Sequence, residues 1–324
     1  MSGKKLRLIQ ILVSVFILAL LFLNIKISSF DIDTSNISIP ALCFLLILLP
    51  VSLILRSIRW KLFMNAGQAG NHISNVNSFK FLLVGTALNM FMPAGMGDIA
   101  RSYFGYKWTG IKERMLSVSI YDKIIAIASL SIISAVSFFI TWKYIFILTA
   151  VLCTMPWLVV TWLNKSLTPA LSKGEGAKNK ILFWFINKIK RIDIEQTVQH
   201  FSFPGKTILS GILLSISGWL LDYMLLFFCF RTFDVTIDFF AVLAVGPLLT
   251  LGRLFPFTFN GIGTDEALII YLFSKITIGI VEGKLLLIAL LYRFIMLIIP
   301  AIIGTYYLLS TSSWSGNKPA EKSD

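Results

Sequence analysis

Long apolar runs alternate with short polar segments along nearly the whole chain, and each run predicts a helix rather than a strand. The first, Leu8 to Leu23 in "KKLRLIQILVSVFILALLFLN", follows Lys4, Lys5 and Arg7. It has the flanks of a signal peptide, but "IKISSF" offers no small-x-small cleavage site, so a retained span is expected. The second run, Ile39 to Leu55, ends in "RSIRWKLF". Arg56, Arg59 and Lys61 are expected to mark a cytoplasmic end, with Trp60 at the interface.

The next apolar segment has about 13 residues before Pro93, too few for a crossing of about 20. It runs into "NMFMPAGMGDIARSYF", where Pro93, Gly95, Gly97, Asp98 and Arg101 crowd nine positions. A re-entrant or broken helix is predicted there. Further spans are predicted to begin near residues 115, 144, 207, 238, 267 and 285, which with those at 8 and 39 makes eight. A second break, "RLFPFTFNGIGTDE", carries Pro256, Gly261, Gly263, Asp265 and Glu266. With both breaks re-entrant, every Lys/Arg-rich loop falls on one side and both termini are cytoplasmic. The fold class is all-α: a polytopic membrane bundle of about eight helices plus two re-entrant elements, compatible with an inverted pseudo-repeat.

Composition supports the same class. The 324 residues are 56% hydrophobic and 14% charged, with a mean hydropathy of +0.82. A soluble domain carries about 25% charged residues, so lipid must be part of the solvent. The net charge of +13 resides in short loops, as the positive-inside rule expects, and no nucleic-acid partner is predicted. The longest basic stretch, 164–206, is expected to be a cytoplasmic loop within one integral membrane domain at 1–310. Its centre suits either an amphipathic surface helix or a solvated linker, and residues 311–324 read as a polar tail. Cys43, Cys153 and Cys229 lie in separate apolar runs, and His72 and His200 stand far apart. No metal and no cofactor are expected.

The two breaks share a grammar: Pro, then glycines, then an acid, each upstream of a long span with an ionisable group beside a tyrosine. Those groups are Asp122 and Lys123 after Tyr121, and Arg293 after Tyr292. Paired interruptions in two halves point to a midplane binding site. Unpaired backbone amides survive in hydrocarbon only around a polar cavity, and a half-helix beginning after such a turn favours an anion. The candidate binding residues are therefore Asn89, Pro93, Gly95, Gly97, Asp98, Arg101, Asp122, Lys123, Asp222, Pro256, Gly261, Gly263, Glu266 and Arg293. Arg101 is expected to contact phosphate, and Asp98 to pair with Arg101 or receive a cationic head group. Asp222 is expected either to pair with Lys123 or Arg293 or to line the substrate path.

"NMFMPAGMGDIARSYF", "SVSIYDKIIAI", "PFTFNGIGTDEALIIYLF" and "LIALLYRFIMLI", in that order, resemble the flippase-like transmembrane domain of lysylphosphatidylglycerol synthases. "RSIRWKLF" is similar to that family's basic-Trp segment. The resemblance implies a multi-pass protein of a prokaryotic plasma membrane whose partner is a membrane lipid, expected to be an anionic phospholipid. It implies lipid flipping or transport. The alternatives are a membrane component of phosphatidylglycerol lysyltransfer, or of lipid-linked glycosyl transfer, with catalysis on another chain, and a non-lipid solute transporter. The chain ends about 15 residues after its last span, so the free-standing form is expected, without the cytosolic aminoacyl-transferase domain. No catalysis is then expected, and partners would be a second copy or a separate cytosolic transferase. The family usually shows Glu-Arg where this chain has Asp122-Lys123, which removes a planar fork at the second position.

Overall fold

Helices start where a hydroxyl can cap an apolar run and stop where glycine or proline interrupts it. A computed structural model shows this for residues 3–24, 37–66, 72–90, 97–98, 101–102, 112–141, 203–254, 258, 261–277 and 279–310, which are the residues described below. The helices are α1 (Gly3–Asn24), α2 (Ile39–Asn65), α3 (Asn75–Asn89), α4 (Lys112–Thr141), α5 (Gly205–Thr232), α6 (Phe239–Leu254), α7 (Thr264–Ile276) and α8 (Glu282–Leu309). Among the described residues there is no strand. Ser38 Oγ accepts from the Ala41 amide at the start of α2, and Ser74 Oγ from the Asn77 amide at the start of α3. Each cap satisfies an otherwise orphaned donor.

Four helices, α2, α4, α5 and α8, are long and apolar enough to cross a membrane. Seven of the eight expected span positions carry helix; the eighth, at 144–163, lies outside the described residues. Two of the seven are short. The 16 residues of α6 and 13 of α7 reach about 24 and 20 Å at 1.5 Å per residue, against about 30 Å of hydrocarbon. They flank the second glycine-rich break, so that region is a pair of half-helices. On the other side of the molecule α3, with 15 residues, is equally short and precedes the first break. The basic loop at 164–206, except for its last four residues, and the tail at 311–324 lie outside the described residues.

The most extensive packing is between α2 and α5. Leu45, Leu49 and Leu53 recur at the i, i+4 spacing that keeps one face of a helix inward. They are buried with Leu225, Leu226, Cys229 and Phe230 of α5, and Phe273 of α7 joins them. A smaller apolar cluster gathers Trp60, Phe63 and Met64 of α2 with Phe81, Val118 and Ile125. Elsewhere the same helices expose large apolar side chains, including Phe44, Ile47, Leu213, Ile302 and Tyr306. Such faces suit contact with acyl chains.

The last span is not regular. Its geometry is α over Glu282–Arg293, π over Phe294–Ile298 and α again over Ile299–Leu309. The proline ring of Pro300 clashes with the carbonyl four residues earlier and brings no N–H of its own, so the turn before it widens. A π turn is uncommon and tends to occur at functional positions. This one starts immediately after Arg293.

Candidate functional site: a charge-paired cavity midway along the bundle

Ser52 is the middle residue of α2, and Gly218 lies at the middle of α5. Both line a cavity of roughly 230 Å³ that these helices share with α3, α4, α8 and the segment around Asp98. Charged side chains reach into it from every one of those elements.

On α2, Arg59 Nε donates to Asp122 Oδ1 at 2.7 Å and its Nη2 donates to Oδ2 at 3.1 Å, while Nη1 donates to Ser215 Oγ at 2.7 Å. One turn earlier, Arg56 pairs with Asp222 of α5, whose Oδ1 also accepts from Ser52 Oγ at 2.6 Å. Arg56 also stands 5.4 Å from the Trp219 ring centroid. Arg101 reaches the other oxygen face of Asp122, with Nη2 to Oδ2 at 3.1 Å, and lies over the Trp60 ring at 5.2 Å. Lys123, one residue on from Asp122, pairs instead with Asp98, which also accepts from Asn89 Nδ2 at 3.0 Å.

The other wall comes from the second break. Gly263 has φ +86, a region L side chains rarely enter, and an added Cβ would also press on Ile17 of α1 at 3.0 Å. Glycine there lets the chain turn into α7. The Gly263 amide then donates to Glu266 Oε2 at 2.7 Å. The same carboxylate binds Arg293 Nε and Nη2, and Arg293 Nη2 also donates to the Gly261 carbonyl at 2.7 Å and approaches Asp265 Oδ2 at 3.3 Å.

The halves therefore repeat one device. An acid placed just after a glycine-rich break pairs with a base on the next long helix: Asp98 with Lys123, and Asp265 and Glu266 with Arg293. Burying a charge alone in hydrocarbon costs at least ~2.5 kcal/mol, and partnered acids and bases avoid leaving any of these charges uncompensated.

The sequence-family model described as "Lysylphosphatidylglycerol synthase TM region" matches residues 7–304. The chain belongs to the lysylphosphatidylglycerol synthase transmembrane-region family. It is 34% identical over 92 residues to phosphatidylglycerol lysyltransferase of Staphylococcus aureus strain MRSA252, and 33% identical over 92 residues to the protein of that name from strain COL. Each match covers 28% of this chain and 11% of the relative. The whole relatives are thus far longer than the segment they share with it.

Within this family member, Asn89, Asp98, Arg101, Asp122, Lys123, Asp222 and Arg293 line the one cavity. Gly97, Gly261, Gly263 and Glu266 lie behind them. An added Cβ on Gly97 would fall 2.6 Å from the Gly85 carbonyl oxygen and from Asn89 Oδ1, so this glycine permits the close approach that presents Asp98. Pro93, Gly95 and Pro256 lie outside the described residues.

Three expectations change. Asp98 pairs with Lys123, not with Arg101 at i, i+3, because the Arg101 guanidinium is buried on Trp60 and committed to Asp122. Asp222 pairs with neither Lys123 nor Arg293; α5 packs along α2, which puts Arg56 within reach first. Arg56 and Arg59 are not end-of-span markers. Helix α2 continues to Asn65, and Arg59 is only 7% exposed. A signal for this was present: Trp60, Phe63 and Met64 continue the apolar face past both arginines. Lys61, on the other side, makes an exposed contact with Asn75 and fits the marker role.

Proposed function

We propose that this chain carries a phosphate-bearing membrane lipid, taking the headgroup into the cavity while the acyl chains stay outside among the exposed apolar faces of the helices. The carrying observation is the cavity itself, set midway along α2 and α5 and lined by pre-paired acids and bases. A headgroup entering from water loses its hydration, and fixed charges that exchange partners can replace it without leaving a bare ion in hydrocarbon. The pair best placed to exchange is Lys123–Asp98, whose side chains are 31% and 20% exposed; Arg56 follows at 30%. Half-helices at a repeat interface are the usual setting for such a midplane site.

The same site serves a second reading, which the relatives' name favours: the membrane component of phosphatidylglycerol lysyltransfer, holding lipid for a catalytic domain. In both readings the protein resides in a prokaryotic plasma membrane with its basic loops and termini in the cytoplasm. Reconstitution of the purified full chain in liposomes with headgroup-labelled phospholipid tests transport directly. Wild type is expected to move the label faster than empty vesicles, and an Asp98→Asn, Arg101→Ala variant to lose that gain. Equal rates in all three would overturn transport, and retention of lipid on the purified chain without movement would favour the holding role.

A further inference from the structure

The cavity is not electrically uniform. Around α2, α4 and α5, four bases (Arg56, Arg59, Arg101 and Lys123) face three acids (Asp98, Asp122 and Asp222). With all groups ionised, that wall keeps one positive charge among the described residues. Around α7 and α8 one base, Arg293, faces two acids, Asp265 and Glu266. That wall keeps one negative charge. The whole is neutral, and it is a dipole.

The ligand that fits a positive and a negative wall is one carrying both signs. Building on the lipid reading above, we infer that the cavity selects a zwitterionic headgroup, one phosphate and one ammonium, over an anionic one. The phosphate sits at the Arg56 and Lys123 wall, whose side chains are the most exposed bases of the cluster. The ammonium faces Asp265, which lines the cavity beside Arg293. Arg101 supports the assignment of the first wall: its Nε is buried without a hydrogen-bond partner among the described residues, so the positive side holds more donors than its own carboxylates use. An anion with no amine would satisfy the first wall and leave the excess carboxylate of the second uncompensated, a like-charge penalty inside a low-dielectric space.

At roughly 30 Å³ per water, the cavity of about 230 Å³ holds about seven waters. That suits a small headgroup and excludes an oligosaccharide.

The test is lipid competition on the purified, full-length chain. Protein is equilibrated with mixed vesicles of phosphatidylethanolamine and phosphatidylglycerol in equal amounts, and the retained lipids are counted by native mass spectrometry. Wild type is expected to prefer phosphatidylethanolamine by about tenfold, the ratio that ~1.4 kcal/mol of differential charge contact produces. Asp265→Asn neutralises the negative wall and is expected to abolish or invert that preference. Lys123→Gln weakens the positive wall instead and is expected to reduce retention of both lipids. Two variants on opposite walls guard against one failing to fold, and elution as a single species is required of each. Equal retention of the two lipids by wild type, or a preference for phosphatidylglycerol, overturns this inference and leaves lipid handling standing. Retention of neither lipid overturns both.

Discussion

Arg59 grips Asp122 in a fork, Nε to Oδ1 at 2.7 Å and Nη2 to Oδ2 at 3.1 Å, and so ties α2 to α4 across the middle of the membrane. Asp122 is shared with Arg101, so a single carboxylate compensates two buried guanidiniums. Asp122→Ala is therefore expected to cost about 3–5 kcal/mol, the usual penalty for stranding buried charge. Arg59→Lys keeps the charge and loses the fork, for an expected loss of about 1.5–3 kcal/mol. Thermal unfolding in detergent measures both; an Asp122→Ala melt superimposable on wild type would show that these groups are solvated.

Arg56 stands differently. It pairs with Asp222 but remains 30% exposed to the cavity, so its loss should touch function more than folding. Arg56→Gln is expected to lower stability by no more than about 1 kcal/mol, as for a partly exposed pair. The same variant is expected to slow lipid movement by about tenfold, the equivalent of one charge-assisted contact of ~1.4 kcal/mol. A large fall in melting temperature with transport intact would reverse the assignment.

How much of this was legible beforehand depended on the kind of signal. The two glycine-rich breaks and the ionisable groups after Tyr121 and Tyr292 stand out because polar residues in apolar runs have no bland explanation in hydrocarbon. The helical class followed from run length alone. Pairing was not legible. Asp98, Arg101, Asp122, Lys123 and Asp222 are all candidates for one another, and which pairs form depends on the packing of α2 along α5, a long-range property with no local trace. Arg56 and Arg59 were hidden for a related reason: a basic pair after an apolar run reads equally as an interfacial anchor. The π turn after Arg293 could be suspected from Pro300 but not placed.

Gly263 offers a test of the second break that is independent of charge. At φ +86 and ψ −43 an alanine would be strained, and its Cβ would meet Ile17 of α1 at 3.0 Å. Strain of this kind costs about 1–3 kcal/mol. Gly263→Ala is expected to destabilise by that amount and to loosen Arg293, because the Gly263 amide anchors the carboxylate that holds it. Ile17→Ala in the same chain relieves the contact but not the backbone, so it should recover only part of the loss in a melt. Full recovery would place the whole cost in the clash.

Exchanging the partners of the first pair separates structure from transport. In Asp98→Lys/Lys123→Asp the attraction between positions 98 and 123 persists, but the base now sits on the break and the acid on α4, next to Asp122 and between its two arginines. Each single variant leaves two like charges where a pair had been. Both are expected to be less stable than the exchange, with a coupling of about 0.5–3 kcal/mol between the positions. Lipid movement should not recover with stability, because the phosphate-facing base has left the wall where Arg56 stands. If the pair were merely a strut between α4 and the break, the exchange would restore melting temperature and transport together, and the headgroup would have to be held by other groups of the cavity.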